Sequence, residues 1–122
     1  MIIAMILGLG AGLVMGFVFN ITYPSEYSFY ITMGLLAAVD SIVGAARSYL
    51  NGKYNNLVFI SGFITNALLA GLLTLMGDKL GVPLYYAAIF VFGGRLFNNL
   101  ATIRRNIIDK YEAKKKEKIA DK

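Results

Sequence analysis

The 122-residue sequence contains no cysteine and no histidine. The first absence excludes disulfides, thiolate metal sites and a cysteine nucleophile. The second removes the commonest metal ligand and general base. Charge is also scarce: 16% of the residues are Asp, Glu, Lys or Arg, where a soluble domain carries about 25%. Most of these charges lie from Arg104 onward. No positively charged stretch precedes the first apolar run, which therefore reads as a retained helix rather than a secretory signal. Nothing in the composition supplies a nucleophile–base pair, so an enzyme is the least expected reading. No cofactor, metal or nucleic-acid partner is implied.

Apolar surface fills the space that charge leaves. The chain is 57% hydrophobic, with a mean hydropathy of +0.62. The expected class is an all-α integral membrane protein, and the length leaves room for about four spans of about 20 residues. The runs fall at about 2–19, 30–50, 57–76 and 84–103. They predict a four-helix transmembrane domain over 1–103 with short loops, followed by a basic helical tail over 104–122.

Each run has its own character. The first carries Gly8, Gly12 and Gly16, a stripe that lets another helix backbone approach closely. That seam serves either an oligomer or packing against the second or fourth helix. Tyr23, Tyr27, Phe29 and Tyr30 suit an aromatic belt at a membrane surface. Gly52 fits the end of the second helix. Gly77-Asp78-Lys79 is expected to break the third, and Pro83 to open the fourth, where a missing N–H does no harm.

Charges inside apolar runs carry the most information. A charge at bilayer depth costs at least about 2.5–3.5 kcal/mol and is retained only with a partner or a role. Asp40 lies about ten residues after Tyr30, and Arg95 the same distance after Tyr85. At about 1.5 Å per residue, both fall near one depth, and Asn66 of the third run falls there too. Carboxylate and guanidinium can pair through two parallel hydrogen bonds, with the amide satisfying what remains. Arg47, about 10 Å deeper on nearly the same face as Asp40, joins this set or snorkels to the headgroups. Asn98 and Asn99 are placed to cap it. The set is either an interior lock that fixes helix register or the lining of a pathway.

Basic residues orient the chain. Arg47 and Lys53 flank the second loop, eight Lys and Arg residues lie from Arg104 onward, and the first loop has none. Both termini are then cytoplasmic. Arg104, Arg105, Lys110, Lys114, Lys115 and Lys116 anchor the tail and suit contact with anionic lipid or an acidic partner, at about 1 kcal/mol for each basic residue near such a surface.

Four strings, PSEYSFYITMGLLAA, AAVDSIVGAARSYLNGKYNN, VFISGFITN and AAIFVFGGRLFNNLATIRRNI, resemble the small basic protein family, DUF1290. The resemblance runs in order to about Ile108 and leaves the lysine-rich end uncovered. It implies a bacterial inner-membrane protein, whose gene often lies beside those of the tubulin-like division protein and its membrane tether. It implies a link to cell division or envelope synthesis by neighbourhood, and it carries over no catalytic residue. Small multidrug exporters differ in needing a glutamate in the first span. Fluoride channels are echoed only loosely, by Gly44-Ala45-Ala46-Arg47-Ser48-Tyr49. Ala45-Ala46-Arg47 and Gly93-Gly94-Arg95 form a weak internal echo of two duplicated hairpins.

Two functions are therefore expected to compete. One is a non-enzymatic homo-oligomeric scaffold or accessory of division or envelope synthesis in the bacterial cytoplasmic membrane. The other is a small oligomeric channel or carrier with Asp40, Asn66 and Arg95 on its route.

Overall fold

A computed structural model describes residues 2–122. The order of elements is α1 (Ile2–Val18), a single 3₁₀ turn (Ser25–Tyr27), α2 (Ser28–Leu50), α3 (Asn56–Leu80) and α4 (Tyr85–Ala120). No strand occurs among the described residues.

Helix α2 is the centre of the fold. It packs along both α3 and α4, which also touch each other, whereas α1 contacts α2 alone. The buried stripe of α2 explains this position. Met33, Ala37, Ser41 and Ala45 recur every fourth residue, and all four are buried. Small side chains at that spacing let two neighbouring backbones approach closely. Met33 and Ala37 join Ala70 of α3 and Ala88 and Phe92 of α4 in a core flanked by Leu36, Leu73 and Ile89. The hydroxyl of Thr74, fully buried beside this core, donates to the Ala70 carbonyl at 2.9 Å. That internal bond lets a polar side chain sit in an apolar layer.

Cross-links fix the helix directions. Phe29 stacks on Tyr85 with centroids 4.5 Å apart, Asp40 meets Arg95, and Asn106 Nδ2 donates to Asn51 Oδ1. These pairs advance together, so α2 and α4 are parallel. Tyr30 at the start of α2 donates to Asp78 near the end of α3 at 2.8 Å, so α3 is antiparallel to both. The four-residue connection from α3 to α4 and the nine-residue one from α1 to α2 join unequal hairpins. The first lies wholly in the three-helix core, and the second leaves α1 at its edge.

Chain ends of helices follow local chemistry, with one correction. Gly52 has φ of +68°. The N–H groups of Gly52 and Lys53 reach the carbonyls of Tyr49 and Ser48 at 3.0 and 2.9 Å, which closes α2 in a Schellman turn. Asn55 opens α3 by accepting from the N–H groups of Leu57 and Val58 at 2.9 and 3.2 Å, a standard cap. The break expected at Gly77-Asp78-Lys79 does not occur. The helix runs on to Leu80 and ends at Gly81, whose φ is +66°. Gly77 serves a different purpose. Its carbonyl accepts from Val82 N–H at 3.0 Å, and the returning strand of chain crosses it so closely that a Cβ would lie 2.5 Å from the Val82 carbonyl oxygen. Pro83 lies just ahead of α4 rather than inside its first turn, its carbonyl accepting from Tyr86 N–H at 3.2 Å.

The outside of the bundle is apolar. Helix α3 buries Ala70, Thr74 and Gly77 and exposes Leu57, Val58, Ile64, Leu68, Leu69, Leu72 and Leu80 on the face turned away from the bundle, a larger apolar patch than a water-facing surface usually carries. Helices α2 and α3 are long and apolar enough to cross a membrane. Helix α1 is more apolar still, and its 17 residues reach about 26 Å, the lower limit for a hydrocarbon core of about 30 Å. The apolar run of α4 is diluted by Arg95, Asn98 and Asn99, and the helix continues without interruption into the basic segment for 36 residues.

The glycine stripe of α1 is not used inside the chain. A Cβ at Gly8, Gly12 or Gly16 would meet nothing within 4 Å, so of the two seams open to this stripe, the one with α2 or α4 is not formed among the described residues. Met5 and Leu9 instead turn inward, facing Ala38 and Ile42 of α2 across a groove.

The two kinds of glycine predict opposite outcomes. Gly77→Ala forces the α3–α4 turn apart and is expected to destabilise by about 1–3 kcal/mol, the usual cost of overpacking. Gly71→Ala, where a Cβ enters open space, is expected to be neutral or to stabilise by up to about 1 kcal/mol through helix propensity. Thermal unfolding of the two variants in mild detergent checks both.

Candidate functional site

The half of the bundle around Met33, Ala37 and Phe92 is dry and close-packed. In the other half, the three helices separate around a cavity of ≈ 620 Å³. Its floor lies at Ser41 and Arg95, and its rim is formed by the α2–α3 connection at Asn51, Lys53 and Tyr54. The separation follows from the sequence. Alanines line the contacts of the dry half, whereas Arg47, Asn66, Asn98 and Asn99 occupy the corresponding inward positions here. These longer polar side chains cannot close on one another without stranding their hydrogen-bonding groups.

The boundary between the halves is the Asp40–Arg95 pair. Arg95 Nη2 lies 3.1 Å from Asp40 Oδ2, with the Asp40 side chain fully enclosed and that of Arg95 47% exposed. The geometry differs from the two parallel hydrogen bonds expected. Neither carboxylate oxygen receives a directed hydrogen bond, so the pair is a single-sided charge contact. Asn66 does not complete it. Its side chain lines the cavity with Arg95 but forms no hydrogen bond to either partner. The reason is register: α3 brings Asn66 to the cavity wall, while Asp40 is sealed beneath Ser41 on the α2–α4 side.

Arg47 has a neutral partner. Its Nη1 donates to Asn99 Oδ1 at 2.9 Å, and Asn99 is buried. Gly44 lies beside that amide, and a Cβ there would make an ordinary contact with Asn99 Nδ2 at 3.7 Å. Asn98 lines the cavity on its exposed side and does not bond Arg47. Thus one of the two consecutive asparagines holds Arg47 in place and the other faces open space.

The basic residues of α4 separate into two kinds. Lys110 Nζ reaches the Leu50 carbonyl at 3.5 Å, placing a cation at the C-terminus of α2, where the helix dipole favours it. Arg104, Arg105, Lys114, Lys115 and Lys116 are exposed, on a helix that leaves the bundle.

Sequence reasoning did not single out several residues that matter. Ser41, buried with an unpartnered hydroxyl, forms part of the cavity floor, and Tyr54 and Asn55, with Lys53 that the sequence marks only for topology, form its rim. A signal for the first was present in the spacing Ala37, Ser41, Ala45, a small-residue stripe with the same period as the glycines of α1.

The ion pair predicts a non-additive stability pattern. Arg95→Gln leaves the enclosed Asp40 carboxylate without its counter-charge and is expected to cost about 3 kcal/mol, the low end for a broken buried pair. Asp40→Asn combined with Arg95→Gln is expected to recover most of that loss. A double-mutant cycle on detergent-solubilised protein reads the coupling, and additive single effects would show that the contact carries no energy.

Comparison with known proteins assigns the chain to a family. The family model described as a protein of unknown function, DUF1290, matches residues 23–108, the stretch that contains α2, α3, the cavity and the first two-thirds of α4. The chain is 49% identical over 113 residues to the "Small basic protein" of Bacillus subtilis strain 168, with 93% of each chain covered. It is 38% identical over 104 residues to uncharacterized proteins of Mycobacterium bovis and Mycobacterium tuberculosis, with 84% of this chain and 86% of each relative covered. No solved structure matches it. The chain belongs to the DUF1290 small basic protein family.

Proposed function

We infer that this is a non-enzymatic integral protein of the bacterial cytoplasmic membrane, crossing it four times with both termini inside. In this reading it self-associates as a scaffold or accessory factor of cell division or envelope synthesis. The observation that carries self-association is the position of α1. It rests against α2 alone and leaves Gly8, Gly12 and Gly16 uncovered, while most of its larger side chains are exposed. A small-residue face of this kind is what a second helix packs against in lipid, where van der Waals contact replaces the hydrophobic drive. The membrane reading is supported by the apolar exterior of the bundle and by α2 and α3, each able to span. The link to division or envelope synthesis is supported by the sequence resemblance alone.

Self-association is tested by replacing the glycine face. In mild detergent the full chain is expected to run as an oligomer, and Gly8→Ile with Gly12→Ile and Gly16→Ile is expected to shift it to monomer. The monomeric variant should keep the helical content of the wild type, because a Cβ at those positions meets no side chain of the bundle within 4 Å. A wild-type chain that is strictly monomeric, and that crosslinks to no envelope protein in cells, would remove the support for this reading.

A second reading, a small carrier or channel, is favoured by the polar cavity alone. Within one protomer that cavity ends at Asp40 and the core behind it, so a route would require rearrangement or a second copy. Flux of small ions into proteoliposomes, compared between wild type and Asp40→Asn, separates the two readings. Equal background flux in both is expected from the scaffold.

A further inference from the structure

The cavity has a surplus of positive charge and nothing on its walls to balance it. Arg47, Lys53 and Arg95 line it, and no Asp or Glu does. Asp40, beneath the floor, offsets Arg95. Arg47 bonds only the neutral Asn99 amide, and Lys53 Nζ has no ion pair among the described residues. Two positive charges therefore face a space bounded by apolar helices. The N-terminal end of α3 opens on the same rim at Asn55, and its dipole adds to the positive potential. The donors are plentiful as well: amides at Asn66 and Asn98 line the wall, and the buried Ser41 hydroxyl stands at the floor without a partner. Guanidinium, ammonium, amide and hydroxyl groups converging on one space form a receptor for the oxygens of a phosphate.

One wall of the cavity is apolar, and it leads elsewhere. Phe59 and Phe63 of α3 line the basic cavity on one side. The same two rings line a second, apolar groove of ≈ 320 Å³, completed by Met5 and Leu9 of α1 and by Ala38 and Ile42 of α2. A charged chamber and an apolar channel share a pair of aromatic rings. Together they match a ligand with an anionic head and a hydrocarbon chain.

We propose that this site binds an anionic phospholipid, with its phosphate headgroup at Arg47 and Lys53 on the rim side of the cavity and an acyl chain in the groove between α1 and α2–α3. The proposal rests on the membrane reading above and is independent of self-association. The rim lies at the α2–α3 connection, which the positive-inside pattern places at the cytoplasmic surface, the leaflet whose anionic lipids attract basic residues. The tail cations, exposed on a projecting helix, are a separate and non-specific feature.

The test uses the full chain in mild detergent, titrated with phosphatidylglycerol, with phosphatidylcholine and with inorganic phosphate. Bound lipid is counted by native mass spectrometry, and stabilisation is read from the melting transition. Phosphatidylglycerol is expected to bind with defined stoichiometry and to raise the transition. Arg47→Gln with Lys53→Gln is expected to weaken it about thirtyfold, and Lys53→Gln alone about fivefold, the size expected for losing two and one basic residues from an anionic lipid site. Lys53→Gln keeps the test valid if the double variant does not fold, because that side chain makes no bond among the described residues. Lys114→Gln, Lys115→Gln and Lys116→Gln together are expected to leave the specific binding unchanged. Equal binding by wild type and the cavity variants, or a loss confined to the tail variant, would overturn the site. Stabilisation by inorganic phosphate or phosphatidylcholine equal to that by phosphatidylglycerol would overturn the anionic-lipid assignment. Extraction of the chain without detergent would instead strike the membrane reading itself.

Discussion

A carboxylate sealed from solvent inside an apolar bundle constrains everything around it. Asp40 is fully enclosed, and the guanidinium of Arg95 is the group that meets its charge. The constraint fixes the register of α2 against α4, and with it the level at which the bundle changes character. On one side of the pair, alanines, Met33 and Phe92 close up around a Thr74 hydroxyl satisfied by its own helix. On the other, arginines and asparagines hold the helices apart. The pair is thus less a bond than a partition. Because it lacks directed hydrogen bonds, its contribution comes from neutralising an enclosed carboxylate that would otherwise be left without a counter-charge.

Much of this was legible in the residues. An acid and a base at equal depth on the second and fourth apolar runs could be found by counting from the aromatic residues, since α-helical rise is constant. The end of α2 at Asn51-Gly52 was readable for the same local reason, because glycine adopts the left-handed conformation without strain. The ends of α3 were less readable. Glycine at position 77 looks like punctuation in one dimension, but its role is to let a chain five residues further on pass across it, a contact visible only in three dimensions.

The two small-residue stripes show the limit most plainly. The glycines of α1 and the Ala37–Ser41–Ala45 stripe of α2 have the same spacing, and the glycines make the stronger motif. Yet α2 occupies the centre and α1 the edge. Periodicity marks a face that can be approached; it does not say which helix approaches it, because that depends on competing faces elsewhere in the chain. Asn66 illustrates the same point for polar groups. Its depth was readable, but its rotation about the helix axis relative to Asp40 was not, and a difference of one helical face turns an expected hydrogen bond into a cavity wall.

The 36 residues of α4 form one unbroken rod, about 54 Å long at α-helical rise, from the aromatic cluster at Tyr85 to the lysines near its far end. No proline interrupts it, and its glycine pair lies on the bundle side of Arg95. A stiff lever of this kind has no hinge at which to absorb displacement. Asn106 and Lys110, bonded to Asn51 and to the Leu50 carbonyl at the end of α2, hold the rod between the interior guanidinium and the exposed arm, so the direction in which the arm leaves the bundle is set by α2.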